Sequence, residues 1–197
     1  MVTRFIGDYR VLLVPGLNNS GPDHWQSRWQ QMYPSFERVE QVNWEVPDLF
    51  AWSDRLEQEL KRSTCPTLII AHSFGCLATV HCASRSAGNL AGALLVAPAD
   101  PCKFGVEGIL QQEHLACRSI FVGSTNDPWM EWHQAEVWAH TWQCEFVSAG
   151  QAGHINADSE LGHWPFGLLQ LQRLVLDVES LNSSEKNGEP ERTCSRK

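Results

Sequence analysis

An α/β fold, an open three-layer sandwich of about six mostly parallel strands, is the architecture this sequence predicts. Three observations predict it. Short aliphatic or β-branched runs recur along the chain, several of them (TLIIA, ALLVA, SIFVG) are apolar throughout rather than alternating, and helical patterns fill the gaps between them. Continuous apolar runs are expected of strands covered on both faces, which is the situation in a parallel sheet. In order, the strands are read at residues 11–14, 39–42, 67–71, 93–97, 119–122 and 145–147. The first helix is placed at 22–32, with Pro22 at its first position and Trp25, Trp29 and Met32 on one face. Leu49, Trp52, Leu56 and Leu60 recur at spacings of three and four after Pro47 and Asp48, which marks a crossover helix whose polar face is set by Asp48 or the Ser53 side. Further helices are read at 74–86, 129–142 and 165–180. Strands alternating with helices imply right-handed crossovers.

The 197 residues suit one domain, placed at 1–179, and a tail at 180–197 whose composition (LNSSEKNGEPERTCSRK) predicts disorder. A formal net charge of −8 leaves no basic excess for phosphate binding, so nucleic acid is not expected as a partner. Seven cysteines with no CxxC pair argue against a disulfide framework and a structural zinc site. The apolar run near the N-terminus is too short for a signal sequence or a membrane span, so a cytoplasmic protein is expected. No P-loop, GxGxxG, EF-hand or HExxH pattern occurs. Neither a metal nor a cofactor is therefore expected.

Thr67 to Gly75 reads strand, sharp turn, helix: TLIIAHSFG runs into the alanine-friendly CLATVHCA. A turn of this kind forces its central residue into a strained backbone geometry and lifts the side chain clear of the sheet. Ser73 is that residue, with Ala71 and Gly75 as the small neighbours. Ala71 departs mildly from the usual G-x-S-x-G. The competing reading of Ser73 is a plain helix cap.

A serine is a weak nucleophile alone and needs a histidine base and an acid to orient it. Asp127, in the STNDPW loop after SIFVG, supplies the acid, and His154, in the QAGHIN loop after the last strand, supplies the base. The order Ser73, Asp127, His154 is that of α/β-hydrolases. Asp100 also ends a strand and is the rival acid, while Asp158 is read as trimming the loop or capping the next turn. His163, beside Trp164 and Pro165, is the rival base. His72 belongs to the turn itself; His81, His114, His133 and His140 are read as structural or solvated. An oxyanion needs two aimed donors. The amide of Phe74 opens the helix, and Leu17, just after Gly16, is the candidate second donor. Asn18 is the alternative to Leu17 and otherwise lines the substrate site. Most of the nine tryptophans read as core. Trp129 directly follows the Asp127 loop and is read either as a wall of the acyl pocket or, equally, as packing.

The segments VLLVPGLNNSGPDHWQSRW, AHSFGCLA, GALLVAPAD, STNDPW and GHINADSELGHWPFG together resemble the small α/β-hydrolases typified by YdeN and the retinoblastoma-binding serine hydrolase, over roughly residues 10–170. The resemblance implies a minimal, lidless α/β-hydrolase fold with a triad on Ser73, Asp127 and His154. It also implies hydrolysis of small esters or amides. The retinoblastoma-binding L-x-C-x-E peptide is absent, since Leu115, Cys117 and Ser119 lack the final glutamate, so that partner is not expected. The expected function is a cofactor-free serine hydrolase working through an acyl-enzyme, with short acyl chains preferred. The alternative is a protein-interaction module on the same scaffold with weak or vestigial activity.

Overall fold

The computed structural model describes residues 6–85 and 88–186. Six strands form one parallel sheet in the order β2-β1-β3-β4-β5-β6. They are β1 (Arg10–Val14), β2 (Phe36–Arg38), β3 (Thr67–His72), β4 (Leu90–Val96), β5 (Arg118–Gly123) and β6 (Glu145–Ser148). The helices are α1 (Trp25–Met32), α2 (Leu49–Lys61), α3 (Phe74–Arg85), the short α4 (Glu107–Leu110), α5 (Trp132–Thr141) and α6 (Pro165–Lys186).

Successive strand residues point to opposite faces, and both faces are apolar here, which is why the strand runs do not alternate. Val11, Leu13, Leu68, Ile70, Leu94 and Ile120 pack against Trp25 and Trp29 of α1 and Leu171 and Leu174 of α6. Leu12, Val14, Ile69, Ala93 and Phe121 meet α2, α3 and α5 through Leu56, Leu77 and Trp138, and meet Trp142 just past the end of α5. Trp25, Trp29, Trp52, Trp138, Trp142 and Trp164 are buried, as the helical spacings predict for most of them.

Several sequence expectations shift. The second strand lies at Phe36–Arg38 rather than 39–42, because Phe36 is the buried residue that pairs with Val11, whereas the Val39 amide makes a last bond to the Leu13 carbonyl and Val42 turns fully into solvent. The first helix begins at Trp25, not Pro22: His24 is extended (φ −71°, ψ 140°) and its ring accepts from the Gln26 amide as N-cap. The helix expected from 129 begins at Trp132, because the Asp127 carboxylate accepts from the Trp129 amide and holds that segment as a loop. Ser53 is buried rather than on the polar face of α2, where it bonds His81 Nδ1 at 2.9 Å. Helix α6 continues through 180–186, past the expected domain boundary, and the remainder of the predicted tail, 187–197, lies outside the described residues.

The topology brings the carboxyl ends of β1, β3, β4, β5 and β6 to one edge. Two glycines let that edge close up. A Cβ on Gly16 would sit 2.7 Å from the Ser73 Cβ, and one on Gly75 would sit 2.4 Å from the Pro15 carbonyl and 2.5 Å from that of Val14. Backbone cannot retreat as a flexible side chain can. Gly75→Ala is therefore expected to lower stability by roughly 1–3 kcal/mol through overpacking. Urea unfolding measures this directly, and an unchanged midpoint would contradict the packing described.

Candidate active site

At the end of β3 the chain turns through Ser73, whose φ of 52° lies in the left-handed region, and enters α3 at Phe74. For a non-glycine residue this conformation is strained, and it persists only where surroundings enforce it. The Ser73 amide is tied to the Val96 carbonyl at 3.1 Å, and the Ser73 carbonyl accepts from Cys76 at 3.0 Å. The hydroxyl is thereby raised over the sheet edge. Ala71 is fully buried beside Val14 and Leu95, so its methyl group is accommodated where the usual motif has glycine.

His154 lies in the loop between β6 and α6, and Asp127 in the loop after β5. The Ser73 Oγ is 3.0 Å from His154 Nε2, and His154 Nδ1 is 3.0 Å from each Asp127 carboxylate oxygen. The imidazole and the carboxylate are almost entirely withdrawn from water, with side-chain exposures of 10% and 4%. A carboxylate accepts only, so the imidazole donates from Nδ1, which leaves Nε2 free to accept from the serine hydroxyl.

The two loops are laced together. Ser124 Oγ donates to Asn126 Oδ1 (2.9 Å) and accepts from the Ala152 amide (2.9 Å), while Asn126 Oδ1 also accepts from the Gly153 amide (2.8 Å). Backbone bonds from Thr125 to Gly150 and from Ala149 to Gly123, both 2.8 Å, extend the seam. Ser124 and Asn126 are legible in the sequence only as neighbours of Asp127, yet they set the loops that carry Asp127 and His154 in register.

The rivals fall elsewhere. The Asp100 carboxylate caps Cys102 at 3.0 Å, and although this residue lines the cleft, it makes no bond to His154. Asp158 belongs to the capped turn headed by Asn156. The His163 side chain is exposed, and its carbonyl accepts from the Trp29 indole at 2.7 Å.

A cleft of about 380 Å³ surrounds Ser73 and His154 and is walled in part by Leu17, Asn18, Phe104 and Trp129. The Asn18 amide is committed to the Trp44 carbonyl at 2.9 Å, whereas those of Leu17 and Phe74 have no acceptor among the described residues. Trp129 is 55% exposed, its ring 6.3 Å from that of His154, with the Lys103 ammonium 5.6 Å from its centre. Among the described residues no cluster of His, Cys, Asp and Glu side chains suits a metal ion.

His24 escaped the sequence reading, its only signal being its place beside Trp25 in the segment GPDHW. It lines the cleft, and its ring stacks edge-on to His72 with centroids 4.7 Å apart; His72 in turn lies 4.9 Å from His154. Burial, then the Arg38 guanidinium and His154, drive the His24 imidazole from its ordinary 6.5 down to about 3. Burial, with His24 and His154 adding to it, also holds His72 well below its ordinary value, against a smaller opposing effect of its hydrogen bond to the His154 carbonyl.

A parallel sheet with a strained serine turn at its carboxyl edge defines the α/β-hydrolase class. The chain belongs to the serine hydrolase family, whose model matches residues 11–173. Among solved structures, it is similar to a YdeN-like hydrolase from Pectobacterium atrosepticum, with 37% identity over 87% of this chain and 93% of that one and a TM-score of 0.83. The YdeN protein of Bacillus subtilis shares the fold at 18% identity and a TM-score of 0.65, covering 87% and 99% of the two chains. So does an α/β-superfamily hydrolase of Xanthomonas campestris, at 18% and 0.59, covering 88% and 98%. No protein of curated function matches the sequence. The lidless reading holds: residues 97–117 carry only a 3-10 turn and α4, and 124–131 carry no helix. No described helix is long and apolar enough to cross a membrane.

The two neutral histidines have a consequence for stability. The folded His24 refuses a proton that the unfolded chain takes up below its ordinary 6.5, so stability is full above that pH and falls as pH drops toward about 3. At pH 5 His24 alone should destabilise the protein by about 2 kcal/mol relative to pH 7 or above. Urea unfolding at both pH values measures the difference. His24→Asn, which keeps the capping acceptor, should remove that share of the loss, and an acid limb identical to the wild type would refute the assignment.

Proposed function

We propose that this serine hydrolase cleaves small carboxylic esters, or the corresponding amides, through an acyl-enzyme on Ser73. The observation that carries the reading is the unbroken run of hydrogen bonds from the Ser73 hydroxyl through the His154 imidazole to the Asp127 carboxylate. His154 Nε2 takes the hydroxyl proton as Ser73 Oγ attacks the acyl carbon, and Asp127 stabilises the imidazolium that forms. The same proton then passes to the leaving alkoxide or amine. In the second half-reaction, water loses a proton to His154 and attacks the acyl carbon, and Ser73 departs with that proton restored to its oxygen. The oxyanion of each tetrahedral intermediate is held by the amides of Leu17, which lines the cleft, and Phe74, which follows Ser73, two donors with no acceptor among the described residues. Asn18 lines the cleft, and its amide is bonded to the Trp44 carbonyl instead. Trp129 forms the outer wall against which the substrate's apolar part rests.

The modest cleft supports short acyl groups. Leu17, Ala99 and Phe104 close it on the side of the α2–α3 layer, and no inserted lid extends it. The cytoplasm, where cysteines stay reduced, is the compartment that suits six free thiols among the described residues.

Three measurements test the reading. A fluorophosphonate probe should label Ser73 in the native protein and leave Ser73→Ala unlabelled; an unlabelled wild type would instead favour an interaction module. On p-nitrophenyl acetate, Ser73→Ala should lower kcat by roughly 10³-fold or more and Asp127→Asn by about 10⁴-fold, since the asparagine leaves the imidazole in the wrong tautomer. Full turnover by either variant would reject the triad. Across p-nitrophenyl esters, kcat/KM should fall at least roughly tenfold between butyrate and dodecanoate.

A further inference from the structure

The loop that bears His154 has an unusual backbone. Gly153 (φ 57°) and Ile155 (φ 49°) flank the imidazole, both in the left-handed region. Glycine adopts this freely, whereas for a β-branched residue it is a strained outlier, so something must hold Ile155 there. The holding bonds are visible. Trp25 Nε1 donates to the Ile155 carbonyl at 2.7 Å, and His72 Nε2 lies 3.0 Å from the His154 carbonyl. A carbonyl only accepts, so His72 carries its proton on Nε2. Two consecutive carbonyls, one of them that of His154 itself, are thus each held by a ring N–H from a different element: α1 and the end of β3.

We infer that Trp25 and His72 are positioning residues for His154, a clamp of two ring N–H donors that fixes the peptide carrying the base at hydrogen-bond reach of Ser73. The inference rests on the reading of His154 as that base. Both donors are themselves braced. Trp25 is buried between Trp29 and Trp164, with ring centroids 4.7 and 4.8 Å away, and His72 is backed by His24, whose orientation is set by its cap on α1. The absence of charge matters because a second imidazolium 4.9 Å from His154 would oppose the charge that the base acquires during reaction. Burial keeps His72 neutral. Ile155 is fully buried in the same cluster, so the strained turn and the clamp are parts of one rigid unit.

Isosteric replacements separate donation from packing. Trp25→Phe removes the N–H and keeps an aromatic ring. His72→Gln keeps a neutral donor near the Nε2 position, His72→Asn carries its amide too close to the main chain to reach, and His72→Phe has no donor. The measurement is kcat and KM on p-nitrophenyl acetate, expressed per fluorophosphonate-reactive site so that a misfolded fraction does not count. Trp25→Phe, His72→Asn and His72→Phe should each lower kcat by roughly tenfold or more with little change in KM, because a misplacement near 1 Å can diminish rate about 100-fold. His72→Gln should stay within about threefold of the wild type. The inference is overturned if Trp25→Phe and His72→Phe keep wild-type kcat per site, if His72→Gln falls as far as His72→Phe, or if the loss appears in KM alone. Full turnover by Ser73→Ala and His154→Ala would instead unseat the reading of the site, a result distinct from any outcome of the His72 series.

Discussion

One imidazole bonded on both sides is the interaction on which the rest of this structure turns. His154 needs Ser73 at one nitrogen and Asp127 at the other, each at 3.0 Å, and the three side chains come from three separate strand ends. Hydrogen bonds of that kind tolerate little displacement. The sheet supplies a rigid edge, but an edge alone does not place a side chain at the tip of a loop. Placement comes from polar bonds between loops: Ser124 and Asn126 tie the Asp127 loop to the His154 loop, and ring N–H donors from α1 and β3 reach the carbonyls beyond.

Such a construction has a physical cost. Strained backbone at Ser73 and Ile155, and two histidines buried in neutral form, all work against folding. They are sustained by close packing on both faces of the sheet, where strand residues are buried toward α1 and α6 on one side and α2, α3 and α5 on the other. The site is thus a region where local preference is overruled by the surrounding body, the pattern expected where geometry serves chemistry. The serine hydrolase family to which the chain belongs is consistent with that reading.

Much of this was legible in the residues. Continuous apolar runs announced strands covered on both faces, and AHSFG between a strand and an alanine-rich helix announced the turn at Ser73. The meeting of Asp127 with His154 could be anticipated because each follows a strand and is flanked by proline or glycine. Other features could not be read. The second strand was misplaced because Val39 and Val42 look like a strand pair, although only Val39 is buried and the paired segment is Phe36–Arg38. His24 and Ser53 look like surface residues in the chain, and their burial depends on distant partners, His72 and His81. The indole of Trp25 looked like packing alone, since no pattern reveals that its N–H meets a carbonyl 130 residues away. Spacing reports which face a residue occupies; it does not report which polar atom on another loop it will meet.

The tautomer of His154 tests the account most directly. Nitrogen-15 NMR of the imidazole at neutral pH, assigned by comparison with His154→Gln, distinguishes a protonated Nδ1 from a protonated Nε2. The account predicts the proton on Nδ1, facing Asp127, with Nε2 unprotonated and open to the Ser73 hydroxyl. A proton found on Nε2 instead would mean that the imidazole cannot receive one from Ser73, and the assignment of nucleophile, base and acid would be contradicted together.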